Sequence, residues 1–80
     1  MGKEYYRKQI IDLRARVARE REAKKRYNAR YAQLVRQSTS LSSKTSYRRS
    51  KISASAAHDR NIESLKRQIV SAQRSLKLCR

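Results

Sequence analysis

Apolar side chains recur in alternating steps of four and three along two separate stretches of this chain, and that rhythm limits the fold more than any other feature. In the first stretch the positions are Tyr6, Ile10, Leu13, Val17, Glu20, Lys24, Tyr27, Tyr31 and Leu34, a heptad stripe broken once by the charged pair Glu20 and Lys24. In the second they are His58, Ile62, Leu65, Ile69, Ala72, Leu76 and Cys79. Such spacing keeps one face of an α-helix turned toward a packing partner, whereas a strand would need strict alternation. The chain has no Pro and one Gly, so it lacks the residues that end helices and shape β-turns. The fold class read from these facts is all-α.

The acids support the helical reading. Glu4, Asp12, Glu20 and Glu22 each stand four residues before a base (Lys8, Arg16, Lys24 and Arg26), and Glu63 stands four before Arg67. Acid before base is the favourable orientation on a helix, worth about 0.2–0.5 kcal/mol per pair. These patterns predict one helix over residues 4–36 and a second over 56–79. Residues 37–55 read as a Ser-rich turn or linker. The run STSLSSKTSYRRSKISAS holds eight Ser and two Thr, whose hydroxyls compete for backbone hydrogen bonds and favour turns and caps. The tightest turn is expected near residues 38–43, while residues 44–55 stay open between helix and flexible coil.

Two helices with matching stripes and a polar turn between them fold back as an antiparallel, coiled-coil-like hairpin, a single domain over residues 1–80. In that register Ile62 faces Val17, Ile69 lies between Ile10 and Leu13, and Leu76 meets Tyr6. The break at Glu20 and Lys24 comes opposite the small, polar residues 53–58, so the two weak stretches coincide. Doublets such as Ile10–Ile11 and Ile69–Val70 make the apolar face wider than a two-helix seam requires, which suits a bundle completed by a partner or by a second copy. The seam and partner residues read in this way are Tyr6, Ile10, Ile11, Leu13, Val17, Tyr27, Tyr31, Leu34, Ile62, Leu65, Ile69, Val70 and Leu76.

Charge supplies a competing reading. The net charge is +16 with 35% of residues charged, a field that attracts nucleic acid, anionic membrane or an acid-faced protein. The basic candidates are Lys24, Lys25, Arg26 and Arg30 in the first helix, and Arg48, Arg49 and Lys51 in the Ser-rich run. With Tyr27 and Tyr31 among them, they could track phosphates and stack on bases. A small nucleic-acid-binding protein is therefore the alternative to a protein adaptor. The basic residues surround both helices instead of facing bulky apolar ones, a poor pattern for a membrane-surface helix.

No catalytic constellation is legible. One His, one Cys and six acids offer no metal-ligand spacing, and there is no Gly-rich loop for a phosphate. The chain is expected to be no enzyme and to hold no cofactor or metal. His58, on the apolar stripe, reads as a packed or pairing histidine. Cys79, the single cysteine, permits no internal disulfide. No apolar run has the length of a signal-peptide core or of a membrane span, which needs about 20 residues. The expectation is synthesis in the cytoplasm without integral membrane insertion.

The stretches EYYRKQIIDLRARVA, AKKRYNARYAQL and NIESLKRQIVSAQRSL also carry a family resemblance. Tyr5–Tyr6 near the start, the first amphipathic helix, and Ile62, Leu65 and Ile69 in the last helix resemble small helical proteins encoded beside LXG-type toxins of the Gram-positive type VII secretion system. The resemblance covers the two ends of the chain. It implies a non-enzymatic hairpin that bundles with the helical N-terminal domain of the toxin, as a targeting factor or chaperone exported with its partner.

Overall fold

The computed structural model describes residues 2–79 and contains two helices, α1 (Lys3–Gln37) and α2 (Leu41–Leu78). They pack antiparallel as a hairpin measuring 62 × 14 × 12 Å. The reversal takes only Ser38, Thr39 and Ser40. Ser38 ends α1 with an extended backbone and donates its N–H to the Val35 carbonyl at 3.3 Å. Ser40, also extended, caps α2: its Oγ accepts from the Ser43 N–H at 3.4 Å, and its carbonyl accepts from Lys44 at 3.0 Å. A serine at the N-cap satisfies a backbone donor that the first turn leaves without a partner. Among the described residues none has positive φ, so this reversal needs no glycine.

The helix boundaries revise one expectation. The spacing predicts the second helix over residues 56–79; it begins at Leu41 and takes in residues 44–55. Of the Ser-rich span 37–55, only residues 38–40 lie outside helix. The hydroxyls there serve the helix instead of breaking it. Thr45 Oγ1 donates back to the Leu41 carbonyl at 3.0 Å, and Ser55 Oγ donates across the hairpin to Asn28 Oδ1 at 2.8 Å. Small side chains at Ser50, Ala54 and Ser55, all half-buried, let α2 lie close to α1 where bulkier residues would hold it away. Tertiary packing overrides the weak local preference.

The core sits toward the open end of the hairpin. Ile10, Leu13, Val17, Ile62 and Ala72 are the buried apolar residues, and Ile10, Leu13 and Ala72 form one cluster against which Leu65, Ile69 and Leu76 pack. Toward the turn the half-buried residues include Asn28, Tyr31, Ala32, Leu34 and Val35 on α1 and Ser43, Tyr47, Ser50, Ala54 and Ser55 on α2.

Candidate interaction surfaces

Of the residues read as seam, Ile10, Leu13, Val17 and Ile62 are buried, while Tyr6, Tyr31, Leu34, Leu65, Ile69 and Leu76 are half-buried between the helices or at their edge. Tyr27 is displaced from the seam and 46% exposed. Its neighbour Asn28 takes the inward place and holds Ser55. A straight α-helix drifts by about 20° per heptad against a strict seven-residue repeat. Tyr27 lies three heptads beyond Tyr6, so the stripe has turned by about 60° when it reaches that level. Tyr27 instead lies against His58 at 5.4 Å between ring centroids and stacks on Tyr31 at 6.0 Å.

The charged break in the first stripe becomes a cross-helix polar node. Glu20 and Lys24, spaced for a local pair, are both drawn across the seam. Glu20 Oε1 accepts from His58 Nδ1 at 2.5 Å and from Asn61 Nδ2 at 3.1 Å. A carboxylate oxygen has no hydrogen to give, so Nδ1 of His58 carries the proton of this bond. Hydrogen bonds from His58, then from Asn61, hold the Glu20 carboxyl below its ordinary range, against the opposing effect of desolvation. Lys24 Nζ reaches Asp59 Oδ1 at 2.6 Å. Partner choice across α1 and α2 at these positions fixes the register, because a shift by one turn would separate every pair at once. Sequence spacing could not show this, since the local acid–base pattern offers Glu20 and Lys24 to each other. Along α1, Asp12 does pair with Arg16, at 3.1 Å, while Glu4 meets Arg7 at 3.8 Å.

Four large apolar side chains lie outside the seam on one side of the hairpin: Ile11 (67% exposed), Leu41 (77%), Ile52 (70%) and Val70 (47%). Along α2, steps of 11 and 18 residues return to within about 20° of the same direction at about 100° per residue, so Leu41, Ile52 and Val70 form one line. Each lies in a shallow groove lined by α2 residues alone, the middle one by Arg48, Lys51, Ile52, Ser55, Ala56 and Asp59. The line therefore lies outside the seam. In an antiparallel pair of right-handed helices, the residue after a seam position lies on the same side of both helices. Ile11 follows Ile10 and Val70 follows Ile69, so the two share that side, at the level of the core cluster.

Of the basic candidates, Lys25, Arg26, Arg30, Arg48 and Arg49 are exposed, Lys51 is half-buried, and Lys24 is engaged by Asp59. Among the described residues no group of three or more His, Cys, Asp or Glu is placed to hold a metal ion, and no helix is long and apolar enough to cross a membrane. Compared with known proteins, the chain matches no family, no curated protein and no solved structure.

Proposed function

We propose that this protein is a non-catalytic helical-hairpin adaptor that completes its bundle against a helical protein partner. The observation that carries this reading is the line of exposed apolar side chains, Leu41, Ile52 and Val70, with Ile11 beside it. A two-helix layer can bury only the stripe between its members, and stable helical domains close their remaining apolar positions with further helices. The line spans 29 residues of α2, about 44 Å at 1.5 Å per residue, a length suited to another long helix. Lys66, Arg67 and Arg74 line the groove at Val70 against one acid, Glu63, so an acid-faced helix fits best. The family resemblance of the terminal helices supplies the partner class. It is the helical N-terminal domain of an LXG toxin, for which the hairpin would act as targeting factor or chaperone and be exported with it.

The test is co-purification of the tagged protein with such a domain, after nuclease treatment, in about 1 M salt, where the screening length falls to about 3 Å. The complex is expected to persist with the wild-type chain. It is expected to be lost with the combined Ile11→Ser, Ile52→Ser and Val70→Ser variant, whose helicity should match the wild type because all three side chains are exposed. A wild-type complex that dissolves in salt, or a variant complex that survives, would reject the reading. A mass of twice the chain in sedimentation, lost in the same variant, would replace the toxin domain with a second copy.

A further inference from the structure

Charge is divided unevenly along the hairpin. Residues 23–57, the half that ends in the turn, contain nine Lys and Arg and no Asp or Glu. All six acids of the chain belong to the other half, where they offset thirteen bases. Lys24 is neutralised by Asp59 just outside the segment. The other eight bases, Lys25, Arg26, Arg30, Arg36, Lys44, Arg48, Arg49 and Lys51, have no acid within their half. The fold concentrates them further. Folding at residues 38–40 brings α1 residues 25–36 alongside α2 residues 44–55, so eight positive charges fall within about 16–20 Å of rod. That is about one charge per 2–2.5 Å, close to the one per 1.7 Å of duplex DNA. The open half carries about one net charge per 5 Å at the same rise.

We infer that the turn half of this hairpin is a binding pole for single-stranded nucleic acid. This goes beyond the adaptor reading and uses different residues. Five of the eight bases are Arg, whose planar fork suits phosphate oxygens. At helical spacing they surround the rod instead of forming one patch: Arg26 and Arg30 lie on the side of α1 away from Asn28, and Arg49 lies away from Lys51 on α2. Charges spread in this way suit a flexible strand that wraps, more than a flat acidic surface. Tyr27 is 46% exposed and has Arg30 as its neighbour one turn on along the helix, with Tyr31 stacked on its ring and His58 tilted against it. A half-exposed ring backed by a second ring, with a guanidinium-bearing residue one turn away, offers a surface on which unpaired bases can stack.

The test is fluorescence anisotropy with a labelled 20-nucleotide oligouridylate, across a range of salt, on the full chain. A turn-half variant, Arg26→Gln, Arg30→Gln, Arg48→Gln and Arg49→Gln, is compared with an equally discharged open-half variant, Arg7→Gln, Arg14→Gln, Arg67→Gln and Arg74→Gln. Circular dichroism verifies that each is helical. The turn-half variant is expected to bind at least tenfold more weakly. Its slope of log affinity against log salt should be shallower by about three, at about 0.7 per phosphate for single strands. The open-half variant should lose less than threefold. Tyr27→Ala should weaken binding about fivefold or more with the slope unchanged. Equal losses in the two quadruple variants would overturn the proposal in favour of diffuse attraction. Tighter binding to a duplex, or equal binding to a polyglutamate of the same charge, would overturn it in favour of another polyanion. The Ile11, Ile52 and Val70 serine variant should bind the oligonucleotide normally, so this proposal and the adaptor reading fail independently.

Discussion

Leu13→Ala offers the sharpest check on the packing. Leu13 is 3% exposed at the centre of the cluster formed with Ile10 and Ala72. The substitution removes three carbons, about 2.4 kcal/mol of transfer free energy at about 0.8 kcal/mol per buried methylene. A cavity contribution adds to this, and buried Leu→Ala changes cost about 2–5 kcal/mol in total. The hairpin is 14 × 12 Å in cross-section, a single pair of helices with nothing behind them, so its walls can close on a void. A loss of about 2.5–3.5 kcal/mol is expected. For a small chain whose stability is of order 5 kcal/mol, that is most of what holds it folded. Urea denaturation followed by circular dichroism measures it. Urea is preferable to guanidinium because a salt would screen the self-repulsion of a +16 chain while unfolding it. With a slope near 1 kcal/mol per molar, the midpoint should fall by about 2.5–3.5 M. Ile11→Ala, two positions away and 67% exposed, should cost no more than about 0.5 kcal/mol. A Leu13→Ala loss below about 1 kcal/mol, or an equal loss at Ile11, would refute the assignment of inside and outside on α1.

Three other outcomes are expected. Glu20→Gln should flatten the acid limb of the stability curve. The folded state holds the Glu20 carboxyl below its ordinary range through His58 and Asn61, so its stabilisation is complete above that range and is lost as pH falls through the lowered value. Urea midpoints of wild type and variant should therefore differ near neutrality and converge on acidification, and a constant gap would exclude this origin. Ser40→Ala should cost about 0.5–1 kcal/mol, the lower part of the range for caps, because its bond to Ser43 is long at 3.4 Å; an unchanged melting temperature would show that the cap contributes nothing. Added sodium chloride should raise the melting temperature, since it screens repulsion between bases held within a Debye length of about 10 Å at 0.1 M. A falling temperature would mean that ion pairs outweigh the excess of positive charge.

The helical hairpin was legible because burial in a two-helix seam depends almost wholly on spacing, and Ile10, Leu13, Val17, Ile62 and Ala72 keep that spacing near the open end. Two features were not. Strict heptads place Tyr27 inward, but the drift of a helix that is not fully supercoiled brings Asn28 to the seam, a displacement of one position that spacing alone does not show. The serines of residues 44–55 carry a local preference for turns, and what overrides it is the opposite helix, whose Asn28 supplies a partner for Ser55. The polar node was half visible. The coincidence of Glu20 and Lys24 with small residues on α2 marked its level, while its pairing with His58, Asn61 and Asp59 depends on side-chain reach across the seam.

The direction of the two helices has a practical consequence. Lys3 and Leu78 lie at one end of a body 62 Å long, and Ser38–Ser40 lie at the other. A tag, fluorophore or surface linker joined at either of those ends stands far from the turn and leaves it free, so the hairpin acts as a stalk with a single presented tip. A reporter placed near residue 39 and one placed near either helix end would then sense different events on the same molecule, and a pair of them would act as a ruler for any bending along its length.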